Sequence, residues 1–187
     1  MSEFEFFFSF FGLLLGLSIA EVLAGLARAI QARLQPGSTL RIGWLTPMLA
    51  GFVLLDLLSF WQAAWVSRDL VAVSGVALMA VMIFAGAYYL AASLVFPPDA
   101  NAAGDHDLHF FRVRRIVIGV MLALLVCQLA WYASVPKLLP LLLRPLSLGL
   151  TCVLAALMVA AMAARGRRWC ELAMAALIAR YMLVYLL

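Results

Sequence analysis

Residues 47–67, PMLAGFVLLDLLSFWQAAWVS, decide the fold of this chain. The run is mostly apolar and contains one charged side chain, Asp56. About 20 such residues are enough for a helix to cross the roughly 30 Å hydrocarbon core of a membrane. Thr46 and Pro47 form a typical helix start, with Thr as the N-cap and Pro at the first helical position. The stretch therefore predicts a membrane-spanning helix.

Five further runs of the same kind lie along the chain, so that the predicted spans are 4–34, 47–67, 70–96, 108–134, 146–164 and 169–187. The composition agrees, because 67% of the 187 residues are apolar and 12% are charged, with a mean hydropathy of +1.11. A soluble domain of this size has too little interior to bury so many apolar side chains. We expect an all-α polytopic membrane protein, one transmembrane domain over 1–187 built as a six-helix bundle. A soluble enzyme, a nucleic-acid-binding domain and a disordered chain are excluded.

The segment 136–145 between the fourth and fifth spans is apolar but contains three prolines. It is too short and too interrupted to span. Two interpretations remain at this point: a connector lying at the membrane interface, or a re-entrant segment that lines a cavity.

The distribution of Lys and Arg predicts the orientation, because these residues stay on the cytoplasmic side. Loops two and four carry three cations: Arg68, Lys137 and Arg144. Loops one, three and five carry eight, namely Arg33, Arg41, Arg112, Arg114, Arg115, Arg165, Arg167 and Arg168. We therefore expect both termini outside, in the periplasm of a bacterium whose inner membrane holds the protein.

Four charged side chains lie away from the ends of the predicted spans, at depths where ionisable groups are costly and persist when they are paired or line water. Asp56 and Arg180 lie near mid-depth, while Glu21 and Arg28 are seven residues apart and share one face of the first helix. One interpretation is a pathway for a proton or cation, which Gln62 and Gln128 would extend outward. The other is a pair of structural ion pairs. The slight excess of carboxylates favours a cation or proton over an anion.

Small residues recur at every fourth position of the first helix: Gly12, Gly16, Ala20 and Ala24. This spacing is typical of close packing between membrane helices. It predicts an intimate helix contact, within one protomer or across a dimer. We expect the protein to be a homo-oligomer with the first helix at or near the contact between copies.

Clusters of arginine in loops three and five suit anionic lipid headgroups on the cytoplasmic side. The residues concerned are Arg112, Arg114, Arg115, Arg165, Arg167 and Arg168. The neighbouring stretch Asp105–His109 has ligand-type side chains, but these arginines disfavour a bound cation. The alternative is that Asp107 caps the fourth helix and His109 lies at headgroup level.

Other chemistry has little support. The only two histidines lie in loop three, so no span offers an axial ligand for haem. Cys127, Cys152 and Cys170 form no Cys-x-x-Cys motif, and we expect them to be buried free thiols. We expect no enzyme, cofactor or metal. The first functional hypothesis is a channel or transporter-like protein for a proton or cation. The alternative is a non-catalytic subunit, or an assembly or scaffold protein, bound to a membrane partner protein.

Overall fold

A computed structural model describes residues 3–36, 38, 40–67, 70, 74–98 and 105–186, with side chains from Phe8 onward. These residues form helices and connecting loops, with no β-strand among them. The helices are α1 (Glu3–Leu34), α2 (Leu45–Val66), α3 (Gly75–Ser93), α4 (His106–Ser134), α5 (Leu139–Leu142), α6 (Pro145–Ala163) and α7 (Arg167–Leu186). All except α5 are long and apolar enough to cross a membrane. The predicted all-α bundle of six spans is confirmed.

The start of α2 differs from its prediction. The helix begins at Leu45, its N-cap Trp44 makes no side-chain capping bond, and the prediction that Thr46 is the N-cap is therefore wrong. The reason is a tertiary contact, since the Thr46 hydroxyl donates to the carbonyl oxygen of His106 at 2.7 Å. α3 is also shorter than predicted, beginning after Ser74, whose side chain accepts from Ala77 N.

The buried face of α1 follows a regular alternation of four- and three-residue steps. Its members are Phe11, Leu15, Ser18, Val22, Gly25, Ala29 and Ala32. This is the seven-residue repeat by which a helix keeps one narrow seam against its neighbours. The seam packs against α3 and α2. At Gly25 an added Cβ would lie 2.6 Å from Cδ2 of Phe96, so the glycine allows the chain after α3 to approach closely.

The two ends of the bundle are distinct. At one end, His106 N donates to Arg41 O at 3.0 Å and Arg167 pairs with Asp107 at 3.1 Å, so loops one, three and five meet there. We call this the arginine end. At the other end, Phe8 packs against Trp61 and Trp65, with ring centroids 4.6 and 5.7 Å apart. We call this the aromatic end. α1 begins there, and the six long helices alternate in direction between the two ends.

The segment 136–145 forms one helical turn, α5, between α4 and α6. Leu138 is buried, whereas Pro136, Lys137 and Pro140 are exposed. The segment therefore lies on the surface of the bundle, as the connector interpretation predicts, and does not enter it as a re-entrant segment would.

Candidate functional site

Asp56 lies inside the bundle and accepts hydrogen bonds at both carboxylate oxygens. The Tyr88 hydroxyl of α3 donates to Oδ2 at 2.8 Å, and the Tyr181 hydroxyl of α7 donates to Oδ1. The exposed fractions are 8% for Asp56, 3% for Tyr88 and 1% for Tyr181. Three helices thus meet at one carboxyl group.

The site is close to mid-depth. Asp56 follows Leu45 by 11 residues and precedes Val66 by 10, which corresponds to about 16 and 15 Å along the helix axis. Buried tyrosine hydroxyls usually find a polar partner, and an ionised carboxylate is an acceptor with room for several donors. The two tyrosines therefore satisfy the carboxylate without a charged partner in direct contact.

Arg180 neighbours this site but is directed elsewhere. Its Nη2 donates to Leu150 O of α6 at 3.2 Å, and its Cζ lies 5.0 Å from the ring centroid of Tyr181. Among the residues that the structure describes, Arg180 and Asp56 form no ion pair within 4.0 Å. The cation therefore contributes a field at the site rather than a salt bridge.

A second polar group lies one helical turn beyond Tyr181, toward the aromatic end. The hydroxyl of Tyr185 is buried, and its polar neighbour is the side chain of Ser59 on α2. Buried polar groups without a partner are rare because they lose the hydrogen bonds they make in water. Tyr185 therefore extends the polar face of α7 toward Ser59 of α2.

Glu21 and Arg28 form an ion pair with each other at 3.1 Å, within α1. Their side chains are 29% and 47% exposed, on the outer surface of the helix. The structure therefore brings these two predicted residues together and does not join them to Asp56. Because Arg28 neutralises Glu21, this carboxylate no longer counts toward the excess inferred from the sequence.

The two glutamines are not brought together. Gln62 is exposed on α2, whereas Gln128 of α4 lines a cavity at the aromatic end. Only Gln128 therefore lies where it could extend a polar route from the centre of the bundle.

That cavity has a volume of about 240 Å³ and lies between α1, α2, α3 and α4. Its walls are mostly aromatic and aliphatic: Phe8, Phe11, Phe60, Ala63, Ala64, Ser67, Ala77, Ala80, Val81, Phe84, Cys127, Gln128, Trp131 and Tyr132. Phe60 and Phe84 stack at 4.4 Å and 16°. Both also pack against Tyr88, at centroid distances of 5.3 and 5.7 Å. This stacked pair separates the cavity from Asp56.

At the arginine end, the Asp107 side chain binds the first backbone amide of α2 and does not cap its own helix. Its Oδ1 accepts from Leu45 N at 3.2 Å, and its Oδ2 pairs with Arg167. The N-cap of α4 is instead Asp105, which accepts from Asp107 N at 2.8 Å. The prediction that Asp107 caps the fourth helix is therefore wrong. No group of three or more His, Cys, Asp or Glu side chains in the described part of the chain could hold a metal ion.

Arg114 stands apart from the other loop arginines because its side chain is 5% exposed. It donates to Ala164 O at 2.7 Å and to Sγ of Cys170, and its Cζ lies 5.0 Å from the Phe111 ring. Its guanidinium therefore joins α4 to the turn between α6 and α7. The other five arginines of the two predicted headgroup clusters are exposed, namely Arg112, Arg115, Arg165, Arg167 and Arg168.

The small residues of α1 divide into two environments. An added Cβ at Gly12 would lie 2.9 Å from ring carbons of Trp61, so Gly12 serves packing within the protomer. Gly16 has nothing within 4 Å of that position, and both Gly16 and Ala20 are exposed, while Ala24 is half-buried.

The three cysteines are free thiols, but the prediction that all are buried is wrong for two of them. Cys170 is buried, whereas Cys127 and Cys152 are exposed. Both exposed cysteines lie on apolar membrane helices, where the outer surface favours apolar side chains as the interior does.

Sequence reasoning missed the two tyrosines that bind Asp56. A signal was present, because Tyr88 and Tyr181 lie well inside their apolar runs, away from the interfaces where tyrosine is usually found. A tyrosine at that depth needs a polar partner, and Asp56 was the carboxylate predicted at the same depth.

Comparison with protein-family models, with curated proteins and with solved structures gives no match to this chain. Functional inference therefore depends on the geometry of the bundle.

Proposed function

We propose that this protein is a small membrane channel or transporter that binds a proton or another cation at Asp56. The observation that carries the proposal is an ionisable side chain at mid-depth whose two oxygens bind tyrosine hydroxyls from two other helices. Ionisable residues inside membrane spans mark ion or proton pathways by default, because hydrocarbon disfavours them. A role in packing alone would be served as well by apolar residues, since replacing a buried charged group with them is often neutral or stabilising.

The chemistry of the three groups suits a proton or a hard cation. A hydroxyl both donates and accepts, so each tyrosine can reorient when the carboxyl gains or loses a proton. The carboxylate and hydroxyl oxygens are also the ligand type that hard cations prefer. Tyr185, whose hydroxyl is buried beside Ser59 of α2, supports a continuation of this route along α7.

The alternative is a non-catalytic membrane subunit, or an assembly or scaffold protein, in which the buried polar groups only hold helices together. The ion pair between Glu21 and Arg28 supports this alternative, because it closes within one helix and supplies no second carboxylate to Asp56. The hydrogen bonds of Asp56 to α3 and α7 would then fix the relative position of three helices.

Ion flux through liposomes that contain the purified protein tests the proposal. Asp56→Asn keeps the shape of the side chain and one carbonyl acceptor while it removes the charge. We expect wild-type liposomes to pass protons or monovalent cations, and Asp56→Asn to lower that flux at least about tenfold with little change in thermal stability. Tyr88→Phe, which keeps the carboxyl but removes one donor, should give an intermediate flux. Gln62→Leu, on the outer surface of the same helix, is the control.

The subunit alternative predicts a different pattern. Wild-type liposomes would then be as tight as protein-free ones at acidic and alkaline pH and under either voltage, which would overturn the proposal. Asp56→Asn would instead lower thermal stability, because Arg180 loses its nearby counter-charge. The double variant Asp56→Asn with Arg180→Leu should then recover part of that loss.

A further inference from the structure

The cavity at the aromatic end has the size of a site for one small molecule. Its volume is about 240 Å³, whereas an apolar cavity of about 150 Å³ is enough to bind benzene and sites for drug-sized ligands begin near about 300 Å³. It can therefore hold one aromatic ring with short substituents. It lies between four helices at the end where Trp131 and Tyr132 stand, which is the level of a membrane interface.

We propose that this cavity binds a small lipophilic organic cation, that is, a quaternary or protonated ammonium group carried on an apolar body. The inference rests on the proposed function, because it names the class of cation that the bundle would handle. In this proposal the cation binds first on the side of the stacked Phe60 and Phe84 rings that faces the aromatic end. Asp56 lies on the other side of these rings.

The membrane environment is the reason for choosing a cation over a neutral molecule. Lipid tails are as apolar as aliphatic side chains, so a neutral apolar ligand gains little by leaving them for this cavity. Aromatic rings attract cations through their quadrupole, by about 0.5–1 kcal/mol when exposed and about 2 kcal/mol or more when water is excluded. Among the described residues, six rings line the cavity: Phe8, Phe11, Phe60, Phe84, Trp131 and Tyr132. The aromatic lining therefore favours a cation over a neutral apolar molecule.

The charges around the cavity have the complementary sign. Among the described residues that line it there is no Lys or Arg, so none of these side chains would pair with an anion. The carboxylate of Asp56 lies beyond Phe60 and Phe84, bound to the Tyr88 hydroxyl on which both rings pack. Arg180 directs its Nη2 away from this region, to Leu150 O of α6. A cation in the cavity would therefore contact aromatic rings directly and would be attracted by the Asp56 carboxylate on the far side of Phe60 and Phe84.

Benzyltrimethylammonium and its neutral isostere neopentylbenzene test this inference, because they share one shape and differ in charge. Cys127 lines the cavity and Cys152 is exposed on α6, so the full-length protein carries its own probe and its own control. Each thiol is reacted with a maleimide, and the labelling rate of each site is followed by mass spectrometry. We expect the cation to slow labelling of Cys127 about tenfold and to leave Cys152 unchanged. The neutral isostere should protect Cys127 much less at the same concentration.

Variants locate the interaction. Trp131→Leu and Phe84→Leu replace a ring with an aliphatic side chain, and each should weaken protection by the cation more than protection by the isostere. Asp56→Asn should weaken binding of the cation without changing that of the isostere. Two variants on different helices are used so that a folding defect in one does not decide the result. Equal protection by both ligands, or equal protection of Cys127 and Cys152, would overturn the inference.

The binding readout is independent of transport, so the two proposals can fail separately. Protection of Cys127 by the cation together with tight liposomes would retain the binding site and overturn the transport function. Proton flux that depends on Asp56, together with no protection of Cys127, would retain the transport function and overturn the binding site.

Discussion

The carboxylate of Asp107 occupies the space in which a side chain on Gly43 would lie. Gly43 has φ +65°, in the left-handed region that glycine adopts without strain. The two residues are distant in sequence, and their contact lets Asp107 reach the first backbone amide of α2 at Leu45. This arrangement ties the loop between α1 and α2 to the start of α4.

Gly43→Ala should therefore destabilise the protein. Alanine in the left-handed region costs about 1–2 kcal/mol, and its Cβ would also displace the Asp107 carboxylate from Leu45 and Arg167. We expect a lower thermal midpoint in detergent, with a total loss of about 1–3 kcal/mol. Gly149→Ala in α6, where nothing lies within 4 Å of the added Cβ, is the matched control and should be neutral or stabilising. Equal midpoints for the two variants would contradict this account.

Neutralising Glu21 and Arg28 one at a time should be worse than neutralising both. Glu21→Gln leaves an unpaired guanidinium on a membrane helix, and Arg28→Gln leaves an unpaired carboxylate. We expect each single variant to insert less well and to unfold at a lower temperature, and the double variant to recover both. The amount of protein in the membrane fraction and the thermal midpoint provide a double-mutant cycle. The double variant should retain any flux that depends on Asp56, and loss of that flux would place the pair in the pathway.

Gly12 and Gly16 should respond differently to the same substitution. Gly12→Leu would drive a side chain into Trp61 and should cost about 1–3 kcal/mol of protomer stability by overpacking. Gly16→Leu meets no atom of its own chain and should leave the protomer intact. If copies of the chain associate through α1, Gly16→Leu lowers the oligomeric mass in detergent while the thermal midpoint stays unchanged. A wild-type protein that is already monomeric would contradict the predicted homo-oligomer.

Reporter fusions should place both termini outside the cytoplasm. The eight cations in loops one, three and five against three in loops two and four support this orientation. A fluorescent protein that matures only in the cytoplasm should be dark when fused to the C-terminus and bright when fused after Pro98, in loop three. The opposite pattern would invert the assignment of the arginine end to the cytoplasm.

The fold was predictable from sequence because spans depend on composition and length, which are local properties. The ends of the helices were less predictable than the spans. Thr46 is a typical N-cap residue, but its hydroxyl instead donates to the carbonyl oxygen of His106, 60 residues away. In the same way Asp107 looks like a cap for its own helix and acts on another. Local patterns cannot reveal a partner from a distant loop.

The candidate site was half predictable. Asp56 is predictable because it is a lone carboxylate in an apolar run, whereas the charge pattern predicts Arg180 as its partner. In the structure the partners of Asp56 are two tyrosines. Tyrosine has a largely apolar ring, so its hydroxyl is easily overlooked as a polar partner in a membrane helix. On α1, small side chains at every fourth position predict one packing face, whereas the buried seam alternates four- and three-residue steps and includes Gly25 rather than Gly16. Several periodicities coexist in one apolar helix, and only packing selects between them.

The link from Arg114 to Ala164, together with that from Asp107 to Leu45 and Arg167, gives the bundle a mechanical asymmetry. Three loops are joined by these contacts at the arginine end, whereas at the aromatic end the cavity lies between α1, α2, α3 and α4. The contacts there are mostly between aromatic rings, with one hydrogen bond from the Tyr132 hydroxyl to Ala63 O at 3.4 Å. Any separation of the helices would pivot about the arginine end and widen toward the N-terminus of α1, so a movement that is small at Arg114 would be largest at Phe8.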